Sequence, residues 1–301
     1  MRLLVTGAGG QLGSDLLRAC AAGADGIPRT GRSGPVGIDV VGLTRADLDV
    51  TDPAAVEKVV ADVRPDLVLN ASAYTAVDAA EEDEAGAAAI NAEAPANLAR
   101  VCARHDAGLV HVSTDYVFDG TASAPYEVSA PTGPTSAYGR TKLAGERAVL
   151  ELLPERSWVV RTAWVYGESG PNFVRTMVRL AGIKDTLDVV DDQRGSPTWS
   201  RDLATGLLAL AAARPAPGIY HCTNAGETTW YGLARAVFEE IGADPERVRP
   251  TTTDRFPRPA PRPAYSVLSP AAWTAAGLPA PRPWRDALHA AFAEVGDSFR
   301  S

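Results

Sequence analysis

The chain opens with a short apolar strand that runs directly into a glycine-rich turn and then a helix. Arg2–Thr6 is typical of a buried strand, Gly7, Gly10 and Gly13 follow at intervals of three, and residues 14–20 have helical spacing. This order is the setting of a dinucleotide-binding site, with the pyrophosphate at the helix N-terminus. We expect Gly7 to make the tight turn, Gly10 to admit the pyrophosphate and Gly13 to bring the helix close to the sheet. A plain strand–helix turn is the alternative.

Strands and helices alternate through the first 167 residues. Apolar runs at 38–43, 66–70, 108–113 and 158–162 are separated by helical segments at about 53–63 and 85–104 and by a helix that Tyr138 opens. The alternation predicts a parallel sheet covered on both faces, with ligands at the carboxyl ends of its strands. Residues 21–37 are interpreted as a loop extension without function.

We therefore expect an α/β protein with a Rossmann-type doubly wound parallel sheet in residues 1–167. A smaller, mostly C-terminal α/β substrate domain is expected in residues 168–301, where proline-rich and irregular segments alternate with short helices. Segments near 200–225 are expected to return to the first domain.

Charge and cysteine content exclude several classes of protein. The net charge of −8 argues against nucleic-acid binding. Three scattered cysteines, Cys20, Cys102 and Cys222, indicate a reducing compartment and neither a disulfide framework nor a metal site. No signal peptide or run long enough to span a membrane is recognised, so a cytoplasmic location and no membrane partner are expected.

Tyr138 and Lys142 are four residues apart, so on a helix both side chains lie on one face. A nearby ammonium favours the phenolate form of a tyrosine, which makes the pair a candidate proton donor for a carbonyl being reduced. Lys142 is one of only three lysines in the chain. A packed tyrosine beside a surface lysine is the alternative. Thr114, just past the fourth strand, is the better candidate for a hydroxyl that holds the same carbonyl oxygen, since Ser113 still belongs to the strand. A hydroxyl that bonds its own turn is the alternative.

A proline-rich arm at residues 249–263 carries four arginines and one aspartate. Its five prolines are expected to hold it extended. Arg262 and its neighbours are candidates to bind a substrate diphosphate. A rigid surface connector is an equally good interpretation.

Seven segments together carry a resemblance to a known family. They are Thr6–Gly13, Asn70–Asp78, Ser113–Gly120, Tyr138–Glu146, Arg161–Gly167, Asp191–Thr198 and Arg262–Pro263. In these segments the chain resembles, nearly end to end, the extended short-chain dehydrogenases/reductases and within them the dTDP-4-dehydrorhamnose reductase family. The resemblance implies an NADPH-dependent reduction of the C4 ketone of dTDP-4-dehydro-β-L-rhamnose to dTDP-L-rhamnose.

The same resemblance implies a role for each matching residue. Tyr138 is the implied proton donor, Lys142 lowers its pKa and binds the nicotinamide ribose, and Thr114 orients the carbonyl. The implied cofactor contacts are Gly7, Gly10, Gln11, Leu12 and Gly13 at the pyrophosphate, Asp49 and Val50 at the adenine, and Ala71, Ser72, Ala73 and Thr75 on the nicotinamide side. Trp164 and Asn172 are implied contacts of the sugar or diphosphate, with a core indole and a helix cap as the respective alternatives.

Cofactor choice and metal binding depend on single positions. The second strand ends in Leu43-Thr44-Arg45 without an acidic residue, so Arg45 is expected to pair with a 2′-phosphate and to favour NADPH over NADH. A solvated loop arginine is the alternative. Some family members bind Mg²⁺ at a dimer contact. Asp15 replaces one expected glutamate here, and the helix near residues 289–291 lacks the matching acid, so no metal is expected and a homodimer is left open.

Four rival functions share the fold or the resemblance. A dehydratase needs a second acid after Asp115, where Tyr116 stands instead. An epimerase would regenerate its cofactor and consume no NADPH. A reductase of another dTDP-4-keto-deoxysugar and a non-catalytic NADP-binding regulatory subunit remain open alternatives.

Overall fold

The computed structural model describes residues 1–22 and 38–300, so the expected loop at 21–37 lies outside the described residues from position 23 onward. The strands are β1 Arg2–Thr6, β2 Asp39–Leu43, β3 Leu67–Asn70, β4 Gly108–Thr114, β5 Ser157–Thr162, β6 Val165–Tyr166, β7 Leu187–Val190, β8 Arg194–Gly195, β9 Thr198–Trp199, β10 Gly218–His221, β11 Thr228–Thr229 and β12 Val248–Thr251. The helices are α1 Gln11–Ala21, α2 Pro53–Val63, α3 Glu84–Ala88, α4 Ala94–Arg104, α5 Ala137–Leu152, α6 Phe173–Ala181, α7 Ser200–Ala213, α8 Trp230–Glu240, α9 Ala271–Ala275 and α10 Trp284–Arg300.

A parallel sheet of six strands forms the centre of the described structure, in the order β10-β5-β4-β3-β1-β2. Strand β2 is added on one side of β1 and β3 on the other, so the switch point where α/β proteins bind ligands lies between β1 and β3. The predicted α/β fold with a doubly wound sheet is therefore confirmed.

Helices cover both faces of this sheet. On one face, Leu16 of α1 and Leu207 of α7 pack against Leu3 and Leu69. On the other face, apolar residues of α2, α4 and α5 pack against Leu4 and other strand residues. Because both faces are buried, the inner strands are almost wholly apolar, as parallel sheets require.

A separate apolar cluster holds the C-terminal elements together. It joins α6, α8 and α10 through residues such as Val174, Phe238 and Leu288. Strand β12 pairs with β7 in a small parallel sheet beside α8. Residues 218–221 lie in the central sheet as β10. The division at residue 167 stays a prediction.

Several local expectations can be compared with the structure. Asp52 caps α2 by accepting bonds from Ala54 and Ala55, with Pro53 in the first turn, as expected. The helix expected at 85–104 is interrupted by a π-turn at Ala89–Glu93. There the backbone carbonyl of Asn91 lies so close to Gly145 of α5 that a Cβ on that glycine would come within 2.1 Å of it.

No helix among residues 1–22 and 38–300 is long and apolar enough to cross a membrane.

Candidate active site

Two adjoining cavities open at the carboxyl ends of β1, β3 and β4 and share Gly10, Ala71 and Ala73 in their walls. The first, of about 500 Å³, is lined by Gly7, Gly10, Arg45, Asp49, Val50, Ala71, Ser72 and Ala73 among others. The second, of about 520 Å³, is lined by Gly10, Gln11, Leu12, Gly13, Ala71, Ala73, Thr75, Thr114, Tyr138, Lys142 and Trp164 among others. The structure thus brings most of the predicted site residues into one continuous cleft.

The glycine turn shapes the floor of this cleft. Gly7 has a φ of +71°, which an L side chain rarely adopts. A Cβ on Gly13 would lie 2.2 Å from the Gly7 carbonyl oxygen, so only glycine lets α1 begin here. Gly10 precedes α1 without a side-chain cap, and the first turn carries no acid. The free N–H groups and the positive end of the helix therefore fit a pyrophosphate, the group expected at this turn.

Thr114 and Tyr138 face the same cavity because α5 packs unusually close to the end of β4. A Cβ on Gly139 would lie 2.2 Å from the Tyr116 carbonyl oxygen. Ser136 caps the helix by accepting a bond from Gly139. Strand β4 runs one residue further than expected and ends at Thr114 itself. Ser113 and Thr114 both belong to β4 and both line the cavity, so the strand boundary does not separate them and the preference for Thr114 stays a prediction.

The hydroxyl of Thr114 is already engaged within the protein. Its Oγ1 donates to Asp115 Oδ1 at 2.8 Å and accepts from the Tyr116 backbone N–H at 3.2 Å. Asp115 is buried, and desolvation raises the pKa of its carboxyl to about 6. A hydroxyl has one proton. The Tyr138 hydroxyl can donate to the acceptor side of Thr114, but a bound carbonyl oxygen can be held only if the Thr114 proton turns to it from Asp115.

In the protein alone, burial and the neighbouring Thr114 and Asp115 set the pKa of Tyr138. Desolvation raises the pKa of Tyr138 to about 12, and the Thr114 hydroxyl opposes that rise. The Lys142 ammonium is directed elsewhere: it donates to the Val112 carbonyl oxygen at 2.8 Å, and its Nζ lies 3.4 Å from His111 Nε2. Without ligands the ammonium is turned toward β4, so the expectation that Lys142 lowers this pKa in the complex stays a prediction.

Two stacked indoles form part of the wall of the cavity that contains Thr114 and Tyr138. Trp164 and Trp230 lie with ring centroids 3.6 Å apart and an interplanar angle of 6°. Trp164 has a φ of +48°, an outlier for a bulky residue that costs on the order of 1–3 kcal/mol. Such strain clusters at functional sites. Trp164 is partly buried and lines the cavity, but it also packs against two apolar clusters, so its contact with substrate stays a prediction.

Asn172 and Arg262 are not among the residues lining either cavity. Asn172 accepts a hydrogen bond from the Arg175 N–H and so caps α6, which was the alternative interpretation of this residue. Its Nδ2 also lies 3.2 Å from Gln11 Oε1. Arg262 forms an ion pair with Asp78 at 2.9 Å. The arm at 249–263 is extended where it begins in strand β12, but a 3-10 turn at Thr253–Arg255 interrupts it. Substrate contacts of both residues stay predictions.

Arg45 is exposed beside the first cavity and has no salt-bridge partner within the described part of the chain. The neighbouring carboxylates are occupied: Asp47 accepts from Thr44, and Asp49 accepts from Thr51. These hydrogen bonds hold the pKa of both carboxyls below its usual range. Arg45 is therefore available to an anionic group at the rim of the cleft.

Asp15, which replaces an expected metal-binding glutamate, is buried and accepts a hydrogen bond from Ser200. Burial raises the pKa of its carboxyl. Within residues 1–22 and 38–300 no group of three metal-ligating side chains comes together. The expectation that the protein binds no Mg²⁺ stays a prediction.

Sequence reasoning missed Trp230, His111 and the bond from Thr114 to Asp115. A lone histidine in an apolar strand reads as a core residue, and nothing near Trp230 in the sequence points to Trp164. The order of residues could have suggested only Asp115, which follows Thr114 directly.

A parallel six-stranded sheet, a glycine turn at its switch point and a Thr, Tyr and Lys constellation beside that turn define a Rossmann-type oxidoreductase of the short-chain dehydrogenase/reductase class. The profile of the family described as RmlD substrate binding domain matches residues 1–296. The chain belongs to this family.

Two relatives and one solved structure illustrate the likeness. The chain is 52% identical over 295 residues to a dTDP-4-dehydrorhamnose reductase of Streptomyces griseus, covering 97% of this chain and 93% of the relative. It is 51% identical to a probable dTDP-4,6-dihydroxy-2-methyloxan-3-one 4-ketoreductase of Streptomyces antibioticus, covering 98% of this chain and 96% of that one. A crystal structure of dTDP-4-dehydrorhamnose reductase from Bacillus anthracis in complex with NADP superposes with a TM-score of 0.87 at 34% identity, covering 97% of this chain and 99% of that chain.

Proposed function

We propose that this protein uses NADPH to reduce the C4 ketone of dTDP-4-dehydro-β-L-rhamnose to dTDP-L-rhamnose. The observation that carries the proposal is the convergence of Thr114, Tyr138 and Lys142 on the cavity that continues the glycine-turn cleft. The Streptomyces griseus relative, named for this activity, supports the choice of substrate. The NADP complex of the Bacillus anthracis relative supports the choice of cofactor.

When bound, NADPH supplies the hydride that reduces C4. The residues of this chain provide the rest: Tyr138 donates its Oη proton to the ketone oxygen, which becomes the hydroxyl of the product. Lys142 contributes the ammonium that stabilises the resulting phenolate, once it turns from Val112 toward the cleft. Thr114 holds the ketone oxygen beside Tyr138 once its hydroxyl proton turns from Asp115 Oδ1 to that oxygen.

Cofactor residues are assigned by position in the cleft. Gly7, Gly10 and the first turn of α1 would hold the pyrophosphate, and Arg45 a 2′-phosphate. Trp164, supported by Trp230, would face the sugar.

The decisive experiment supplies purified protein with NADPH and dTDP-4-keto-6-deoxyglucose, with and without a 3,5-epimerase, and identifies the product by NMR. The proposal expects dTDP-L-rhamnose only in the presence of the epimerase. A Tyr138→Phe variant should bind NADPH and lose turnover, because it keeps the ring and removes the proton.

A second candidate, reduction of another dTDP-4-keto-deoxysugar, is favoured by the ketoreductase relative of Streptomyces antibioticus. Turnover without the epimerase would favour this candidate. Tight NADPH binding with no oxidation of NADPH by any 4-keto sugar nucleotide would instead favour a non-catalytic subunit.

A further inference from the structure

A buried chain of polar groups leads from the start of the glycine turn to Lys142. Thr6 Oγ1 donates to Asn70 Oδ1 at 2.7 Å, and the Ser72 backbone N–H donates to the same oxygen at 3.1 Å. Asn70 Nδ2 lies 3.1 Å from His111 Nδ1. On the other side of the ring, His111 Nε2 lies 3.4 Å from Lys142 Nζ. These groups connect β1, β3, β4 and α5 beneath the cleft.

One backbone group sets the direction of every hydrogen bond among these polar groups. The Ser72 N–H can only donate, so the side-chain atom of Asn70 that it contacts is the oxygen. The amide nitrogen of Asn70 must then face His111, and an amide nitrogen only donates. His111 Nδ1 therefore accepts, which leaves the single proton of a neutral imidazole on Nε2. Complete burial keeps the ring neutral, since it lowers the pKa of His111 well below 6.5.

The Nε2–H of His111 consequently points at the Lys142 ammonium. A donor that faces a cation opposes the charged form of that cation. The other groups that act on Lys142 are few. Val112 accepts from its Nζ, and Glu146, one helical turn further along α5, favours the ammonium but is shared with Arg161 at 2.7 Å. Tyr138 lies one turn back on the same helix.

We propose that His111, held in its Nε2–H tautomer by Asn70, is a positioning residue that destabilises the Lys142 ammonium and so limits the reaction at alkaline pH. The kinetic part of this proposal rests on the proposed function. The tautomer and the titration of Lys142 belong to the protein alone. Burial of the Lys142 amine, which lowers its pKa to about 8, acts in the same direction.

The tautomer can be read directly from ¹⁵N chemical shifts of the histidine rings. The chain has four histidines, and a His111→Gln variant identifies the signals of His111. We expect a protonated Nε2 and an unprotonated Nδ1 across the neutral pH range. A proton on Nδ1, or an imidazolium, in the unmodified protein overturns the proposal.

The titration of Lys142 can be followed without overlap, because the other two lysines, Lys58 and Lys184, are exposed and can be replaced by arginine. In the Lys58→Arg, Lys184→Arg background a ¹⁵N-lysine label leaves one Nζ signal. We expect this signal to titrate clearly below the ordinary value of 10.5. Titration at or above that value contradicts the proposal.

Two substitutions separate the tautomer from simple burial. Asn70→Asp offers His111 Nδ1 an acceptor, which should move the ring proton to Nδ1 and turn the Nε2 lone pair toward Lys142. The Lys142 pKa should then rise by on the order of one unit or more. The matched control is His111→Gln. The glutamine oxygen can accept from Asn70 Nδ2, and the glutamine NH2 can then point at Lys142 as the His111 Nε2–H does. The Lys142 pKa should therefore stay low.

Because Asn70→Asp also adds charge, the ring shifts as well as the Nζ titration must change for the proposal to stand. If that variant does not fold, the ring shifts of the unmodified protein decide the tautomer, and a rise of the Lys142 pKa in His111→Gln contradicts the proposal. In kinetics, the alkaline limb of kcat/KM should move to higher pH in Asn70→Asp and stay in place in His111→Gln. A lack of turnover with any 4-keto sugar nucleotide would sink the proposed function and leave the NMR results to judge the tautomer.

Discussion

The indole of Trp230 lies flat against the indole of Trp164, with ring centroids 3.6 Å apart, and Trp230 Nε1 donates to Gln193 Oε1 at 3.1 Å. The backbone of Gly195 closes the arrangement, because a Cβ there would lie 2.4 Å from the Trp164 ring. Trp164 is thus held in place by residues of the C-terminal elements although it follows directly from the central sheet.

Loss of this stack should weaken binding of the sugar nucleotide more than it slows the chemical step. For Trp230→Leu we expect a roughly three- to tenfold rise in KM for the sugar nucleotide, the worth of one aromatic pair, with a smaller change in kcat. Trp230→Phe keeps a stacking ring and is the matched control. A normal KM in the leucine variant would show that Trp164 needs no support from Trp230.

The hydroxyl of Thr114 should matter for turnover and little for the cofactor. We expect Thr114→Val to lower kcat by about 10²-fold, the usual cost of removing a positioned hydrogen-bonding group at a reacting oxygen. The Kd for NADPH should stay within a factor of two or so, since the pyrophosphate site is formed elsewhere. Thr114→Ser, which retains the hydroxyl, should recover most of the activity. Equal loss in both variants would argue that packing and not the hydroxyl is at stake.

Arg45 should decide the choice between NADPH and NADH. A charge-assisted bond to phosphate contributes about 1.5–3 kcal/mol, so Arg45→Leu should lower kcat/KM for NADPH by about ten- to a hundredfold. The value for NADH should change little. Arg100→Leu, at an exposed position on α4, controls for the loss of a surface charge. A clear NADH preference in the unmodified protein would already defeat the assignment.

Acid stability should depend on a second buried histidine, His221. Burial and the nearby Arg161 lower the pKa of His221 to about 3, whereas the unfolded chain binds that proton near 6.5. The unfolded state therefore holds the extra proton between these values, and the free energy of unfolding falls as pH drops through this window by about 1.4 kcal/mol per pH unit.

Asp115 acts in the opposite sense, because its raised pKa of about 6 lets the folded state bind a proton first between pH 6 and 4. His221→Gln should therefore lower the slope of the free energy of unfolding against pH by about 1.4 kcal/mol per pH unit in this window. Urea unfolding at several pH values between 7.5 and 4.5 measures this slope. An unchanged slope in His221→Gln would contradict the prediction.

The parts of the site that follow from local pattern could be predicted from the sequence. The turn from β1 to α1 and the pair Tyr138 and Lys142 are set by spacing within one element or two adjacent ones, and the cleft contains both. The sheet also followed from alternation alone, with the end of β4 misjudged by one residue because Thr114 still pairs with Thr162.

The parts that depend on distant packing could not be predicted. Trp230 reaches Trp164 only because α8 packs against α6 and α10 in the C-terminal cluster. The direction of the Lys142 side chain depends on the Val112 carbonyl and His111 of a different element, so spacing along α5 showed which face it lies on but not which partner it chooses.

Because β10 lies far along the sequence, the central sheet cannot be completed until late in synthesis. Strands β1 to β5 have been synthesised once residue 162 has left, but α7 and β10, which complete one face and one edge, end at residues 213 and 221 of 301. Until then an apolar face and an unpaired strand edge stay exposed, which are features that invite aggregation in a nascent chain. Translation of this interval is when the nascent protein should most need a chaperone.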